Sequence, residues 1–308
     1  MTGHRETGTP LRARLVTYTT KPRGGPVHCL ELAEALHRDG CDVHVFALGD
    51  PAEGFFRPVT APHTIFPAPG PEGTLEERVQ RALDALRCGL ERQHYRDGDL
   101  LHAQDCIAGR AVVAIRDAGA PVVTVRTVHH VDDFTTAALI DCQRRSITEP
   151  DHVIVVSWFW QARLQEEFGV KTDVVTSGVD TDRLREFPPD QARTLRVFPS
   201  VNEGWGLALL EALAAGLPAV ATDIPVFREF LNEHQALLVP PSDPAALSNA
   251  MLAAATDPAL RRRLALAGRK VAERYTWDAC ARQHMALYEW FSTAARQRAR
   301  AQGTRTTG

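Results

Sequence analysis

The stretch from Phe198 to Thr222, FPSVNEGWGLALLEALAAGLPAVAT, constrains the fold of this chain more than any other segment. Its pattern predicts a short strand, a glycine-containing turn, a helix, a Gly-Leu-Pro break and a second strand. That order is typical of a parallel sheet, because parallel neighbouring strands need a long crossover connection, usually a helix. The segment therefore predicts an α/β protein.

Two carboxylates and two glycines make this segment a candidate ligand site. Glu203 opens the turn and Glu211 follows eight positions later. At about 3.6 residues per turn this is just over two helical turns, which predicts that both side chains lie near one face. Gly204 and Gly206 leave N–H groups uncovered at a helix N-terminus, where an anion can bind. The arrangement suits a nucleotide diphospho-sugar, although a glutamate in a first turn also complements the helix dipole.

The rest of the chain alternates between strand-like and helix-like segments. A β-rich run at 13–18 leads through TTKPRGG to a helical pattern at 26–38 and a strand at 42–48, the opening of a doubly wound sheet. About six strands alternate with helices up to residue 176, and the alternation resumes after residue 197. The predicted fold is α/β, with two Rossmann-like domains.

The predicted organisation has five parts. They are a disordered segment at 1–11, an N-terminal domain at 12–178, a shortened linker at 179–193, a partial C-terminal domain with a final crossover helix at 194–291, and a polar tail at 292–308.

Composition excludes several classes of function. The net charge of −3 gives no sign of a general nucleic-acid binder. The sequence has no apolar run long enough to span a bilayer, and its first residues, MTGHRETGTP, lack the apolar core of a secretory signal. The six cysteines show neither a C-x-x-C pair nor a metal-ligand spacing, so we expect reduced thiols in a cytoplasmic protein.

The string from Phe198 to Thr222 resembles the signature PSxxEGFGLxxLEAMAxGxPVVA of GT-B glycosyltransferases of family 4. The resemblance implies a retaining glycosyltransferase that uses a nucleotide diphospho-sugar and a sugar, lipid or small-molecule acceptor. It implies no metal and no other cofactor. In such enzymes the acceptor hydroxyl attacks the anomeric carbon from the leaving-group face, and no side-chain nucleophile is needed.

The same resemblance implies roles for residues of the segment. Glu203 is expected to contact donor-sugar hydroxyls, and Glu211 to accept hydrogen bonds from the ribose. The N–H groups that follow Glu203 are expected near the distal phosphate. The implied donor-binding residues are Gly24, Gly25, Gly204, Trp205, Gly206, Leu207 and Glu211.

The first helix and its loop offer a second candidate site. Gly24 and Gly25 stand between the first strand and the first helix, where family members face the donor diphosphate and the acceptor. The alternative is a plain turn between strand and helix. The lack of a G-x-G-x-x-G spacing counts against a dinucleotide cofactor.

Two further motifs end predicted strands, where α/β folds place their ligands. Thr127-Val128-His129 resembles the T-x-H element, whose histidine donates to the sugar or phosphate, so His129 joins Glu203 as a candidate catalytic residue. His130 is a candidate for the acceptor side. The HAQD sequence at 102–105 resembles the HAxD element of the acceptor side, which implies roles for His102 and Asp105. Structural roles, including helix capping by Asp105, are the alternatives.

A gap separates the two halves. Only nineteen positions lead from Asp180 to Pro199, whereas a βαβ unit needs roughly thirty residues. In the family this stretch holds the first half of the C-terminal domain, with a Gly-rich turn and an Arg–Lys pair that neutralises the leaving diphosphate. The second domain here therefore has room for about three strands, and we expect impaired activity. Its uncovered surface is a candidate for self-association.

Three alternative functions stay open on the sequence. A catalytically dead remnant would bind nucleotide or a partner without turnover. A nucleotide-sugar 2-epimerase of the same fold would interconvert the donor without an acceptor. A Rossmann oxidoreductase is disfavoured by the missing dinucleotide fingerprint. Ser177–Asp180, which resembles the NGVD sequence at the hinge of the family, is expected to be structural.

Overall fold

The computed structural model describes residues 11–184 and 194–303. They form two compact units: 11–154 with 281–303 make the first, and 155–280 make the second. The predicted boundary at 178 differs from this division, whose border lies near residue 155. Residues 1–10, 185–193 and 304–308 lie outside the described residues, and the predictions of disorder, linker and tail made for them stay predictions.

The larger sheet has seven strands. In chain order they are β1 (Arg12–Thr17), β2 (Asp42–Gly49), β3 (His63–Pro67), β4 (Asp99–Ala103), β5 (Val122–Val128), β6 (His152–Val155) and β7 (Asp173–Val174). They are arranged in the order β3-β2-β1-β4-β5-β6-β7. The pairings of β1 with β2 and β4, of β2 with β3 and of β4 with β5 are parallel. The sequence prediction of a parallel α/β sheet is confirmed.

Helices connect these strands. They are α1 (Gly24–Arg38), α2 (Leu75–Glu91), α3 (Cys106–Asp117), α4 (Ala137–Thr148) and α5 (Trp158–Phe168). The helix α2 starts with a complete capping box, in which the Thr74 hydroxyl accepts from the N–H of Glu77 and the Glu77 carboxylate accepts from the N–H of Thr74.

The carboxyl ends of β1, β4 and β5 lie side by side. Leu15 is opposite His102 across β1 and β4, and His102 is opposite Val125 across β4 and β5. Both β4 and β5 are buried along their whole length. The segments that leave these strands therefore meet at one edge of the sheet, and they include the start of α1, the start of α3 and the residue pair His129–His130.

The second unit contains a sheet of three parallel strands, β8 (Arg196–Phe198), β9 (Ala219–Thr222) and β10 (Leu237–Val239), in the order β10-β9-β8. Besides α5, the unit contains α6 (Leu207–Ala214), α7 (Pro225–Arg228), α8 (Pro244–Thr256) and α9 (Pro258–Ala272). The prediction of about three strands is confirmed. The short helix α7 was not predicted, because four residues are too few for a periodic apolar pattern.

The final helix, α10 (Trp277–Gly303), extends beyond residue 291 into the predicted polar tail. Within 11–184 and 194–303, none of the helices combines the length and the apolar character that crossing a membrane requires.

Within the second unit, the segment Ser177–Asp180 packs tightly on the chain before α10. A Cβ atom added to Gly178 would stand 2.3 Å from the backbone nitrogen of Trp277. The N–H of Val179 donates to the carbonyl of Tyr275 at 2.9 Å. Only glycine fits here, because the neighbouring atoms are backbone and cannot rotate away.

We predict that Gly178→Ala lowers the free energy of unfolding by at least about 2 kcal/mol, since the methyl group forces two backbone segments apart. Denaturant titration of the full chain measures this loss. Gly24→Ala is the matched control, because a Cβ at Gly24 would meet nothing within 4 Å. Equal stability of the two variants would contradict the prediction.

Candidate functional site

The start of α1 presents free backbone donors at the edge of the larger sheet. The helix begins at Gly24, two residues earlier than predicted, and its capping residue Arg23 makes no side-chain hydrogen bond to it. Gly24 is exposed and Gly25 half-buried, and the next residue, Pro26, has no N–H. The first two helical N–H groups thus belong to the glycines, which suits an anion at this helix terminus.

His129 lies beside this turn. A Cβ on Gly25 would be 3.7 Å from Cδ2 and 3.9 Å from Nε2 of His129. The same Nε2 is 3.1 Å from Oε1 of Gln104. The structure therefore brings together two of the predicted sites, the glycine turn and the T-x-H histidine. It also places Gln104, the residue after β4, within hydrogen-bond distance of that histidine.

The His102 side chain is buried and bonds to other buried side chains. Its side chain has 0% exposure. Nδ1 lies 2.5 Å from the Tyr288 hydroxyl, and Nε2 lies 2.7 Å from the Thr127 hydroxyl. Both ring nitrogens are used by buried partners, which favours a structural role, and the acceptor-side role of His102 stays a prediction.

Asp105 caps α3. Its carboxylate accepts from the N–H of Ala108 at 2.8 Å, and also from the N–H of Tyr18 and the Thr17 hydroxyl. These bonds tie the start of α3 to the end of β1. The capping alternative from the sequence accounts for the bond from Ala108, and the acceptor-side role of Asp105 stays a prediction. Burial raises the pKa of this carboxyl.

His130 differs from its neighbour. Its side chain is 51% exposed, and Nε2 lies 3.2 Å from the Asp132 carboxylate. The hydrogen bond from His130 lowers the pKa of Asp132. This exposed pair is available to a ligand, so the acceptor-side role of His130 stays a prediction.

A cluster of buried histidines surrounds His129 and His102. Sequence reasoning missed two of its members, His28 and His284, because both lie on helices where a histidine carries no motif. The His28 and His129 ring centroids are 4.8 Å apart, and those of His102 and His284 are 5.6 Å apart. Burial lowers the pKa of His28 to about 3 and holds the pKa values of His102 and His129 well below the usual range. These three rings are therefore neutral at pH 7.

In the second unit, the turn before α6 ends at a glycine in the left-handed region. Gly206 has φ +95°, and a Cβ there would meet a ring carbon of Phe227 at 2.6 Å. Gly206 offers no side-chain cap, so the first N–H groups of α6 depend on other partners. The helices α3, α5, α8 and α9 instead have Asp or Ser caps.

Glu203 stands in this turn and not in the helix. Its Oε1 accepts from the Ser200 hydroxyl at 2.8 Å, and its backbone carbonyl accepts from the Trp160 indole N–H at 2.9 Å. The prediction that Glu203 and Glu211 share one helix face is wrong, because the left-handed Gly206 interrupts the helical geometry between them. Glu211 lies within α6 and is half-buried; burial raises its pKa and the Arg183 charge opposes that rise.

Two predicted donor-binding residues have apolar side chains that pack inward. Trp205 is 3% exposed, and its ring lies 4.9 Å from Phe230 and 5.2 Å from Tyr275 between centroids. Leu207 packs against the same core. Their side chains thus stabilise the turn, and only their backbone N–H groups are left for the predicted contact with phosphate.

Glu229 is a further polar residue that sequence reasoning missed. Its carboxylate accepts from the N–H groups of Trp158 and Phe159 at 3.0 and 2.8 Å, at the start of α5. This helix terminus already holds a negative group, in contrast to that of α6. The described residues contain no group of three His, Cys, Asp or Glu side chains placed to hold a metal ion.

We predict that the buried histidines make stability depend on pH. The unfolded chain takes up a proton on each near pH 6.5, whereas the folded chain resists protonation. Stability is therefore highest above pH 6.5 and falls as the pH decreases toward the folded values, by up to about 1.4 kcal/mol per pH unit per histidine. Urea titrations at pH 7.5 and pH 5 measure the fall. His28→Gln should reduce it and His130→Gln, at an exposed position, should not; no fall at all would contradict the prediction.

Two family profiles and several curated proteins are similar to parts of this chain. The profile of Glycosyltransferase Family 4 matches residues 22–183, and that of Glycosyl transferases group 1 matches residues 167–271. Phosphatidyl-myo-inositol mannosyltransferase of Mycobacterium leprae (strain TN) is 41% identical over 94 residues, which are 30% of this chain and 25% of that protein. D-inositol 3-phosphate glycosyltransferase of Streptomyces avermitilis is 35% identical over 113 residues, 36% of this chain and 24% of that protein. The matched stretch spans about a quarter of the length of these curated relatives.

Solved structures agree on the fold. Sucrose-phosphate synthase from Thermosynechococcus elongatus has a TM-score of 0.74 at 18% identity, covering 92% of this chain and 100% of that one. Anabaena Alr3699/HepE in complex with UDP-glucose has a TM-score of 0.70 at 13% identity, covering 91% and 99%. The Family 4 profile covers more than half of the sequence. The chain therefore belongs to Glycosyltransferase Family 4 and has the GT-B fold.

Proposed function

We propose that this chain transfers a sugar from a nucleotide diphospho-sugar to an acceptor hydroxyl with retention of configuration. The observation that carries the proposal is the turn of residues 203–206 at the start of α6. It combines a glycine terminus that lacks a side-chain cap with a carboxylate on either side. That HepE has been solved with UDP-glucose supports a nucleotide-sugar as the ligand class.

In the second unit, each part of the donor has a suitable partner. The N–H groups at the start of α6 stabilise a negatively charged phosphate, because they lie at the positive end of the helix dipole. The Glu211 carboxylate is an acceptor for two adjacent ribose hydroxyls. Glu203, held by Ser200, accepts from hydroxyls of the transferred sugar.

In the first unit, the neutral His129 and the two glycines at the start of α1 supply a hydrogen-bonding ring beside free N–H groups. The proposed chemistry needs no side-chain nucleophile and no metal ion. The protein lowers the barrier by positioning the acceptor hydroxyl and by stabilising charge on the departing diphosphate.

The shortened connection after Asp180 sets an expectation for the rate. Removal of one charge-stabilising group at a reacting centre commonly costs about 10²–10³ in kcat. The chain lacks the stretch in which its family carries a basic pair, so turnover should be slow compared with that of full-length members. A nucleotide-binding protein without turnover is the second candidate, and this short connection favours it.

We predict that Glu211→Ala weakens UDP binding about 10- to 100-fold, because hydrogen bonds to a charged group contribute about 1.5–3 kcal/mol. Calorimetric titration with UDP, GDP and their glucose and mannose conjugates measures the affinity. Glu273→Ala, at an exposed position at the end of α9, is the matched control.

Each outcome of this titration has a distinct meaning. Binding that depends on Glu211, followed by sugar transfer to an added alcohol, supports the proposal. Binding without transfer supports the second candidate. Unchanged affinity of Glu211→Ala would rule out the ribose role.

A further inference from the structure

A chain of buried hydrogen bonds connects α10 to His129 inside the first unit. The Tyr288 hydroxyl lies 2.5 Å from Nδ1 of His102. Nε2 of His102 is 3.3 Å from Nε2 of Gln104, and Oε1 of Gln104 is 3.1 Å from Nε2 of His129. Tyr288 and His102 have 0% exposure and Gln104 has 1%, so solvent does not compete for these bonds.

In the orientation that the structure gives the Gln104 amide, its two ends set where the imidazole protons lie. The amide nitrogen is only a donor, so Nε2 of His102 must accept and its proton must be on Nδ1, facing Tyr288. The amide oxygen is only an acceptor, so Nε2 of His129 must carry the proton. Both rings are neutral because burial lowers their pKa values, and each therefore has one N–H and one lone pair.

The consequence appears at the other nitrogen of His129. With its proton on Nε2, Nδ1 of His129 carries a lone pair and accepts hydrogen bonds. The half-buried ring turns its Cδ2–Nε2 edge toward Gly25 and Gln104, so Nδ1 lies on the other side of the ring, and we assign that nitrogen to the ligand. A lone pair repels a phosphate oxygen and attracts a hydroxyl.

We propose that Gln104 is a positioning residue that fixes the tautomer of His129, and that His129 consequently recognises a sugar or acceptor hydroxyl and not a phosphate oxygen. The recognition half of this inference rests on the proposed function. It reverses the direction of the hydrogen bond that the family resemblance implies for His129, in which the histidine donates.

The opposite orientation of the Gln104 amide also gives consistent hydrogen bonds. The proposal is testable because the two orientations predict different tautomers. If the amide were turned over, Gln104 would donate to His129 and accept from His102. The proton of His129 would then lie on Nδ1, and that nitrogen would donate to a phosphate. Thr127 fits both arrangements, because its hydroxyl can donate to His102 or accept from it.

Nitrogen-15 NMR of the labelled full chain at pH 8 distinguishes the two arrangements, since protonated and unprotonated imidazole nitrogens have separate chemical shifts. Single His→Gln variants identify the signals. We expect the Nε2–H tautomer for His129 and the Nδ1–H tautomer for His102. The Nδ1–H tautomer at His129 would overturn the proposal.

Substitutions at Gln104 test whether this residue determines the tautomer of His129. In Gln104→Glu the carboxylate only accepts, so His129 should keep its proton on Nε2 while His102 changes from Nδ1–H to Nε2–H. In Gln104→Leu the preference of His129 should be lost. Tyr288→Phe leaves the Gln104–His129 bond in place and should not change the His129 tautomer. An unchanged tautomer in a folded Gln104→Leu variant would overturn the role of Gln104.

Kinetic measurements on Gln104 variants test what the His129 tautomer does in the proposed sugar transfer. If the chain transfers sugar, Gln104→Leu should lower kcat roughly tenfold or more with little change in KM for the donor, and Gln104→Glu should restore most of it. Equal loss in both variants would overturn the recognition of a hydroxyl by His129. The tautomer measurements need no turnover, so their result holds even if the proposed transfer fails.

Discussion

A helix that follows a parallel strand points its first N–H groups at the carboxyl edge of the sheet, and these groups need partners. Some of these helix starts have side-chain partners and others do not. Asp105 caps α3, and Ser157 with Glu229 occupies the start of α5. The helices α1 and α6 begin instead next to glycines without side-chain caps. The starts of α1 and α6 therefore combine glycine with N–H groups that no side chain caps, which suits a negatively charged group.

The cluster of buried histidines lies inside the first unit, next to the same edge of the sheet. Neutral rings can be buried at modest cost when their nitrogens are paired, whereas charged rings cannot. The hydroxyls of Tyr288 and Thr127 and the amide of Gln104 provide partners for His102 and His129. Because Tyr288 belongs to α10, the end of the chain contributes directly to the environment of a residue in the first half. Packing and proton position are therefore linked in this unit.

The sequence predicted the strands and most helices because alternating apolar patterns are local. It also identified the glycines and His129, which lie at strand ends. It failed for Glu203 and Glu211, because the helical spacing holds only if the backbone is helical, and Gly206 at φ +95° breaks it. It did not predict the buried bond between His102 and Tyr288, which are 186 positions apart. Pairings at that distance leave no periodic trace in a single sequence.

Among the described residues, the smaller sheet of the second unit has three strands, and the central claim is that this unit still binds a nucleotide. Hydrogen exchange of the full chain, followed by mass spectrometry with and without excess UDP, tests it most directly. We predict slower exchange in peptides that cover 203–211, with little change at α8 and α9. Unchanged exchange at 203–211 under conditions in which UDP binds would contradict the account, because the nucleotide would then be held elsewhere.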